Sequence, residues 1–302
     1  MSIDISFLGT SQAIPTKTRN HTAILLSYKS ENILIDCGEG TQRQFRKLDL
    51  NPGKVTKILL THWHGDHVLG LPGLFQTLAL SGYNKKMKIY GPRGTKKYMK
   101  ELTASFIPVL KFEAEVFEVK DKVFFENKDF QLQAYSLEHG KVPVNGYKFI
   151  EKNKLRIDKK KLKKLNISRD ELSKLSLLTS GKSIKINKKT ITPKQLTYQS
   201  LGKSVSFIFD TKVCPKAKSL AKNSDLAIME STYANEEEEL AKEYGHMSAG
   251  QAATIAKQSN VKKLILTHIS QRYQYKDKIL ETQAKQIFKN TEIAQDLMKL
   301  TI

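Results

Sequence analysis

Apolar and polar residues follow one another in short, regular patterns along the first half of the chain. Short runs rich in Ile, Val, Leu and Phe are typical of strands, whereas apolar residues spaced by about 3.6 positions are typical of helices. This pattern predicts strands at residues 3–7, 22–27, 32–36, 57–61 and 87–90. It predicts helices at residues 39–48, near 73–81 and near 95–104.

The second half repeats this alternation after one interruption. Residues 112–119 and 130–137 have the pattern of two antiparallel strands. The interruption, residues 151–194, is basic and contains two short amphipathic helix candidates at 159–165 and 169–178. Beyond it the pattern predicts strands at residues 204–210, 226–230 and 263–268, with helices near 248–257 and 276–289. Strands mixed with helices in both halves predict an α/β fold with two sheets sandwiched between helices.

The length and composition are those of one α/β domain. The chain has 302 residues, 39% of them hydrophobic and 27% charged. We therefore predict a single domain over residues 1–302 that carries an insertion at residues 151–194. No apolar run approaches the ~20 residues that span a membrane, and the first ten residues do not resemble a signal peptide. The two cysteines, Cys37 and Cys214, fit a reducing compartment, so we expect a cytoplasmic protein.

The net charge adds an expected partner to this picture. Lys and Arg number 51 against 30 Asp and Glu, which gives +21. Such an excess attracts nucleic acid or an anionic membrane, although an organism with lysine-rich proteins would show it as well. Residues 151–194 contain 15 basic and 4 acidic residues, a net +11, which leaves +10 for all the others. This concentration favours a dedicated polyanion-binding insertion.

A cluster of histidines directly after an apolar strand is the strongest chemical signal in the sequence. His62 and His64 alternate, so an extended backbone points both imidazoles to the same side. A turn at Gly65 brings Asp66 and His67 to a second position beside the first. Imidazole with some carboxylate is the ligand set that zinc prefers. The segment therefore predicts a metal site.

Three further residues follow predicted strands and can complete the site. They are His139, Asp210 and His268. The four donors between residues 62 and 67 cannot all converge on one ion, and the Asp210 carboxylate could bridge two. We therefore expect two metal ions that act together on a phosphoryl or acyl centre.

The spacing His62-x-His64-x-Asp66-His67 resembles the signature of the metallo-β-lactamase superfamily. Further segments resemble ribonuclease Z, the tRNA 3′-processing endonuclease, in its short form. They are FLGTS at 7–11, PTKTRN at 15–20, DCGEGTQRQ at 36–44, GLPGL at 70–74, EST at 230–232, GHMS at 245–248 and THISQRY at 267–273. The resemblance covers essentially the whole chain and implies the αββα sandwich of the superfamily.

The resemblance also implies a ligand set and a reaction. One Zn²⁺ is expected on His62, His64 and His139, and a second on Asp66, His67 and His268, with Asp210 bridging. Asp66 is further expected to orient or deprotonate the attacking water. The expected reaction removes the 3′ trailer of precursor tRNA after the discriminator nucleotide. It leaves a 3′-hydroxyl on the tRNA and a 5′-phosphate on the trailer.

His246 is the candidate that this ligand set leaves over. By the resemblance it protonates the leaving 3′ oxygen, and an imidazole with a pKa near neutrality suits a general acid. The alternative is a structural role at the start of the helix near Ser248.

The substrate-binding residues are expected in two places. Lys17, Arg19 and Asn20, in the PTKTRN motif, are expected near the phosphates at the cut, the alternative being ordinary charges of a surface loop. The basic insertion matches the family's flexible arm, which grips the tRNA and whose lysines supply salt-sensitive affinity for phosphates. Its candidates are Lys159, Lys160, Lys161, Lys163 and Lys164. The arm departs from the family pattern because residues 167–171 (ISRDE) stand where a Pro/Gly-Pro element is common. The family is typically a homodimer.

Other functions fit the sequence less well. A metallo-hydrolase of small phosphodiesters or sulfate esters would use the same metal ligands but gain nothing from a +11 insertion. A non-catalytic tRNA-binding protein would not need a complete ligand set, and a structural zinc site would be rich in cysteine. Trp63, between His62 and His64, could either pack beside the site or stack a base. Cys37 is expected in the core.

Overall fold

The computed structural model describes residues 2–106, 110, 112–163, 165, 169–186 and 189–302 of the chain. The chain forms two compact units. The first consists of Met1–Phe125, Leu132–Phe149 and Ser204–Ile302, and the second of Glu126–Gln131 and Ile150–Lys203. Among the described residues, no helix is long and apolar enough to cross a membrane.

One seven-stranded sheet is built from the N-terminal part of the chain and its last strand. Its order is β18-β1-β2-β3-β4-β5-β6. The strands are β1 (Asp4–Gly9), β2 (Ala23–Tyr28), β3 (Glu31–Ile35), β4 (Lys57–Leu59), β5 (Met87–Gly91), β6 (Ala114–Glu118) and β18 (Lys299–Thr301). The pairs from β18 to β3 are antiparallel and those from β3 to β6 are parallel. The carboxyl ends of β3, β4 and β5 therefore lie at one edge of this sheet.

The second seven-stranded sheet has the order β17-β16-β15-β14-β9-β8-β7. Its strands are β7 (Lys122–Glu126), β8 (Phe130–Ser136), β9 (Asn145–Glu151), β14 (Ser204–Ile208), β15 (Leu226–Glu230), β16 (Lys263–Thr267) and β17 (Thr291–Ile293). The strands β14, β15, β16 and β17 are parallel. Buried parallel strands read as continuous apolar runs, and β15 is buried at every position.

Helices cover the outer face of each sheet in the first unit. These helices are α1 (Thr41–Lys47), α2 (Gly65–Val68), α3 (Leu71–Leu80), α4 (Thr95–Phe106), α9 (Pro215–Ala221), α10 (Glu238–Tyr244), α11 (Ala249–Gln258) and α12 (Lys278–Ile287). In one core Phe45 of α1 and Phe75 of α3 pack with Ile58 of β4. In the other, Ala253 of α11 packs with Leu264 of β16. The predicted two sheets between helices are confirmed.

The two sheets of the first unit are joined face to face close to one edge. The Tyr147 hydroxyl of β9 donates to the backbone carbonyl of Leu60, which follows β4, at 2.6 Å. The Tyr28 and Phe149 rings meet edge to face with their centroids 5.3 Å apart. Residues that follow strands of both sheets are thus held near one another.

Among its described residues, the second unit contains two small two-stranded antiparallel sheets and four short helices. Its elements are β10 (Lys154–Ile157), α5 (Lys159–Lys163), α6 (Arg169–Leu172), α7 (Leu175–Thr179), β11 (Ile184–Ile186), β12 (Lys189–Ile191), α8 (Pro193–Leu196) and β13 (Thr197–Ser200). β10 pairs with β13 and β11 with β12, both antiparallel. Leu178, Ile184 and Leu196 belong to its own apolar cluster. The predicted insertion, residues 151–194, lies within this unit.

Three predictions about elements were wrong. The strands predicted at 112–119 and 130–137 do not pair, because β6 belongs to the first sheet and β8 to the second. β7, β9, β17 and β18 of the two large sheets were not predicted. The helix predicted at 169–178 is two helices, α6 and α7. An apolar run fixes that a segment is extended, but its partner is set by packing between segments distant in sequence.

Candidate metal centre

The predicted metal ligands gather at one edge of the sandwich, each at the end of a strand. His62 comes shortly after β4, His139 after β8, Asp210 after β14 and His268 directly after β16. The strands β14 and β16 belong to the same parallel set, so their carboxyl ends meet at the same edge. Ligand-bearing residues at strand ends are thereby brought together from separate parts of the chain.

The segment between residues 61 and 67 supplies donors in two directions. His64 has an extended backbone (φ −75°, ψ 152°) and precedes α2, whose first turn contains Asp66 and His67. Extended backbone places His62 and His64 on one side, with ring centroids 4.5 Å apart. The helical turn presents Asp66 and His67 to a second position, as the spacing predicts.

Left-handed backbone conformations occur at three residues of this edge. Asp36, Asp210 and His268 have φ values of 56°, 39° and 60°. Residues other than glycine rarely adopt this region, and the strain is of order 1–3 kcal/mol each. The conformation breaks the strand and turns each side chain toward the shared edge. Strain at strand ends is thus part of how the cluster is assembled.

The donor atoms form two groups that share Asp210. Within each group the atoms lie within 4.8 Å of one another. We call them group one (His62, His64, His139 and Asp210) and group two (Asp66, His67, Asp210 and His268).

The two oxygens of Asp210 face different groups. Oδ2 lies 3.6 Å from His62 Nε2 and 3.9 Å from His139 Nε2. Oδ1 lies 3.3 Å from His67 Nε2 and 3.1 Å from His268 Nε2. A carboxylate with one oxygen toward each group has the geometry of a bridging ligand.

Hydrogen bonds on the far side of the imidazoles fix their orientation. Nδ1 of His67 lies 2.7 Å from Asp36 Oδ2, and Nδ1 of His139 lies 2.9 Å from the carbonyl of Gly245. Nδ1 of His268 lies 3.0 Å from Thr232 Oγ1. Acceptors at Nδ1 leave Nε2 to point inward, which is a common outer-shell arrangement of metal-binding histidines.

Two buried polar atoms of the cluster lack a hydrogen-bond partner within the described part of the chain. His62 Nε2 and Asp210 Oδ1 are buried and have no hydrogen-bond partner among the described residues. A buried polar atom without a partner costs about 1–3 kcal/mol. A divalent cation would satisfy both atoms, and a set of imidazoles with two carboxylates matches the preference of zinc. The residues therefore fit a metal centre.

The protonation states of the carboxylates also suit a cation. Burial alone would raise the pKa of Asp210, but the imidazoles of His268, His67 and His62 hold it well below its usual range. Burial would also raise the pKa of Asp66, but attraction to His67 and hydrogen bonds to His268 and His67 lower it. Burial lowers the pKa of His62 well below its usual value. Ionised carboxylates and neutral imidazoles are the forms that bind metal. Burial opposes the charge on His67, but Asp210, Asp66 and Asp36 raise its pKa well above the usual value, so His67 would lose a proton when a metal binds.

His246 lies beside the two groups and forms a buried ion pair with Glu230. Its Nδ1 is 3.1 Å from both carboxylate oxygens of Glu230. Its ring centroid is 4.8 Å from that of His139. Burial disfavours the charged imidazole, but attraction to Glu230 outweighs this and raises the pKa of His246 to about 9. The ring is therefore protonated at neutral pH. Glu230 contacts its Nδ1, and Nε2 is on the other side of the ring.

The Glu230 carboxylate is itself held by several donors. It accepts from the backbone N–H of Thr211 at 2.6 Å and of Met247 at 3.2 Å, and from Thr232 Oγ1 at 2.7 Å. The charge on His246 lowers its pKa. Neither Glu230 nor Asp36 was predicted to have a role, although both lie in the quoted motifs and end strands as Asp210 does. That shared position was the signal that could have found them.

The three residues expected near the cut differ in their surroundings. Lys17 is exposed, and Asn20 is half-buried with its Nδ2 donating to the carbonyl of Glu39 at 2.6 Å. Arg19 is 2% exposed. Its guanidinium donates to Thr10 Oγ1, to the carbonyl of Ala294 and to Asp277 Oδ2, at 2.6, 2.7 and 2.6 Å.

The structure thus contradicts Arg19 as a phosphate contact. Its positive charge is inside the protein and already paired with Asp277. The loop that contains it is tied to the metal edge through the neighbouring backbone, because Ile269, next to His268, donates to the carbonyl of Thr10 at 2.9 Å. The sequence pattern of charges did not distinguish a buried arginine from an exposed one.

The lysines predicted in the insertion are exposed where the structure describes them. Lys159, Lys160, Lys161 and Lys163 all belong to α5 and face solvent. Asp158 caps this helix by accepting from the backbone N–H groups of Lys160 and Lys161. Lys164 lies outside the described residues. Cys37 is buried, as predicted, and burial raises its pKa to about 12.

Profiles of two protein families match separate parts of the chain. The family described as "Anti-Pycsar protein Apyc1" matches residues 3–143. The family described as "Beta-lactamase superfamily domain" matches residues 182–269.

Similar proteins match over the full length. The chain is 39% identical over 310 residues to the ribonuclease Z of Prochlorococcus marinus (strain MIT 9312), covering 98% of each chain. It is 36% identical to the ribonuclease Z of Methanothermobacter thermautotrophicus, covering 99% of this chain and 97% of that one. Human tRNase Z, short form, is 28% identical with a TM-score of 0.71 and 98% of each chain covered. The metallo-β-lactamase fold protein YhfI from Bacillus subtilis, 16% identical with a TM-score of 0.73 over 100% of this chain and 99% of that one, shares the fold.

Proposed function

The chain belongs to the ribonuclease Z family, and we propose that it removes the 3′ trailer of precursor tRNA by cutting after the discriminator nucleotide. Membership makes it a metal-dependent endoribonuclease of the metallo-β-lactamase fold. The observation that carries the proposal is the pair of donor groups that share Asp210, buried except for His64, with the protonated His246 beside them.

In this proposal the chain holds two Zn²⁺ ions. His62, His64, His139 and Asp210 would hold one, and Asp66, His67, His268 and Asp210 the other. Ions held by these residues would lower the pKa of water and stabilise negative charge on a phosphoryl group. Asp210 would be shared by both sites, since Oδ2 faces one donor group and Oδ1 the other.

Asp66 and His246 would carry the proton transfers. The Asp66 carboxylate stays ionised in its surroundings and would accept a hydrogen bond or proton from the attacking water. His246 would donate a proton from Nε2 to the leaving 3′ oxygen while Glu230 holds Nδ1. The tRNA would keep the 3′-hydroxyl and the trailer would carry the 5′-phosphate.

Binding of the tRNA would use charges outside the centre. Lys17 and Asn20 would lie near the phosphates at the cut. The exposed lysines of α5 would contact the tRNA backbone, and each neutralised phosphate would add salt-sensitive affinity. We further propose a homodimer, as the family pattern implies, and a cytoplasmic location, since the two cysteines fit a reducing compartment.

The first experiment is cleavage of an end-labelled precursor tRNA by the metal-loaded protein and by Asp66→Ala. We expect a single cut after the discriminator nucleotide, with a 3′-hydroxyl and a 5′-phosphate at the new ends, and no cut by the variant. Metal analysis should find two equivalents per chain in the wild type. Hydrolysis of bis(p-nitrophenyl) phosphate without cleavage of several precursors would instead assign a small-phosphodiester hydrolase. Tight tRNA binding without any hydrolysis would assign a non-catalytic tRNA-binding protein.

A further inference from the structure

An aromatic pair lies one residue away from the metal ligands. Trp63 stands between His62 and His64, and because alternate residues of an extended segment face opposite sides, its ring points away from the donors and toward α4. Its Nε1–H donates to Thr95 Oγ1 at 3.0 Å, and its ring centroid is 5.3 Å from that of Tyr98. Trp63 therefore packs beside the site, against α4.

Tyr98 presents part of its ring to solvent in a fixed position. The residue is 43% exposed. The Cε2 side of the ring lies close to Gly94, where an added Cβ would stand 3.0 Å from Cε2, and Lys97 Nζ lies over the ring, 6.0 Å from its centroid. With Trp63 on a further side, the ring is held before any ligand binds, which reduces the entropy lost on stacking.

Positive charge surrounds this pair along α4. Arg93, Lys96, Lys97 and Lys100 are exposed, and the exposed face of the helix carries a single acid, Glu101. The Glu118 carboxylate is turned to the helix start, where it accepts from the N–H groups of Gly94 and Lys96. Exposed aromatic rings among cations are the surface that single-stranded nucleic acid requires.

The direction of α4 connects this surface with the metal centre. α4 follows β5, and the segment of His62 follows β4, the parallel neighbour of β5. Both therefore start from the same edge of the sheet. Tyr98 and the three lysines lie within residues 96–100, which span about 6 Å along the axis of α4 near that edge, room for the first one or two nucleotides of a strand.

We propose that Tyr98 and the lysines of α4 bind the single-stranded trailer on the 3′ side of the cut. This inference rests on the proposed function. On the tRNA side of the cut the duplex acceptor stem begins after one unpaired nucleotide, so only the trailer offers several unstacked bases. Bases of the trailer stack on Tyr98, and its phosphates lie along Lys96, Lys97 and Lys100.

The test compares precursors with a one-nucleotide trailer and with a trailer of about ten nucleotides. One variant combines Tyr98→Ala with Lys96→Gln, Lys97→Gln and Lys100→Gln. We expect kcat/KM for the long trailer to fall about tenfold or more, and kcat/KM for the short trailer to stay within about twofold. Tyr98→Phe alone keeps both the ring and the lysines, so it should retain most of the wild-type kcat/KM for the long trailer.

A matched control removes the same charge elsewhere. Lys218→Gln, Lys222→Gln and Lys257→Gln are exposed changes on or next to α9 and α11, which pack on the other sheet. If this control lowers long-trailer cleavage as much as the α4 variant, the effect is general electrostatics and the proposal is overturned. Equal losses on both substrates would also overturn it, since α4 would then hold the tRNA.

Binding of a single-stranded oligouridine, followed by fluorescence anisotropy, separates this proposal from the proposed function. The α4 variant should bind it about tenfold more weakly than the wild type and the control. If no precursor is cleaved by the wild type, the proposed function fails, and the anisotropy still decides on the surface. Unchanged oligouridine binding in the α4 variant would overturn the α4 assignment.

Discussion

At the scale of single residues, buried ion pairs set the chemistry and the shape of the centre. Glu230 holds His246 in its charged form, and Asp277 holds Arg19 inside the protein. In each pair one partner is predicted from sequence and the other is not. Removing one member of a buried pair leaves the other charged and unsatisfied, so both pairs can be tested by single substitutions.

The Glu230–His246 pair predicts how the rate depends on pH. A general acid must be protonated, and with a pKa of about 9 His246 is protonated at neutral pH and loses its proton above about 9. Glu230→Gln removes the attraction that raises this pKa. We therefore expect the alkaline fall in single-turnover cleavage to move to lower pH in Glu230→Gln, with the metal content unchanged. His246→Gln serves as the control, since it should lose most of the rate at every pH. An unshifted alkaline limb in Glu230→Gln would contradict the acid role.

The same pair contributes to stability in a defined pH window. Because the folded pKa of His246 is raised above the unfolded value of about 6.5, its stabilisation is complete below that value. It is lost as the pH rises toward 9.

The Arg19–Asp277 pair predicts a structural loss rather than a binding loss. Arg19→Met leaves the Asp277 carboxylate, 19% exposed, without its cation. We expect the free energy of unfolding to fall by about 1–3 kcal/mol, less than for a fully buried pair. Urea denaturation of Arg19→Met, Asp277→Asn and the double variant measures it. The double variant should lose less than the sum of the two single ones. Additive losses would show that the two side chains act independently.

At the scale of elements, the centre joins strands of both sheets. The segment of His62 follows β4 of the first sheet, whereas Asp210 and His268 follow β14 and β16 of the second. A metal held between them is a cross-link that exists only in the folded state. Ligands of this kind stabilise the protein by mass action.

Removal of the metal should therefore lower the melting temperature. At a metal concentration about 100 times Kd the stabilisation is about 2.7 kcal/mol, which corresponds to a fall in Tm of roughly 4 °C for a chain of this size. Differential scanning calorimetry with and without chelator measures the change. Asp210→Asn should show a smaller difference, because it loses the carboxylate shared by both groups. An identical Tm in chelator would contradict a metal that cross-links the sheets.

At the scale of the whole molecule, the basic insertion and the predicted metal ligands lie in different units. The second unit has its own apolar cluster and contains the whole basic insertion, residues 151–194. The first unit contains every predicted metal ligand. Hydrolysis and tRNA binding are therefore expected to be separable.

A truncation can test this separation without leaving an unpaired strand. Ile157 of β10 faces Thr197 of β13 in antiparallel register, so residues 158–196 can be replaced by Asn-Gly, which favours a two-residue turn. We expect precursor-tRNA cleavage to fall at least about 100-fold, as salt-sensitive phosphate contacts are lost. Hydrolysis of bis(p-nitrophenyl) phosphate should be unchanged.

The full-length control carries Lys159→Gln, Lys160→Gln, Lys161→Gln and Lys163→Gln. It should weaken tRNA binding and flatten its salt dependence without removing the fold of the second unit. Comparable precursor cleavage by wild type and truncation would show that the tRNA is held elsewhere.

The sequence by itself determined the features that depend on local spacing. Alternation and apolar runs placed most strands of both sheets, and the spacing of His62, His64, Asp66 and His67 predicted two groups of donors. These residues are close in the chain, so backbone geometry alone fixes which way they point. His139, Asp210 and His268 were predicted as metal ligands because each follows a predicted strand.

Only the tertiary structure decided the features that depend on contacts between distant segments. It separated β6 and β8 into different sheets, buried Arg19 against Asp277 and gave Asp36 and Glu230 their partners. Burial and electrostatic pairing arise when remote parts of the chain pack together, and no local pattern encodes which parts those are. The sequence therefore does not distinguish an arginine that contacts an RNA phosphate from one that pairs with a buried carboxylate.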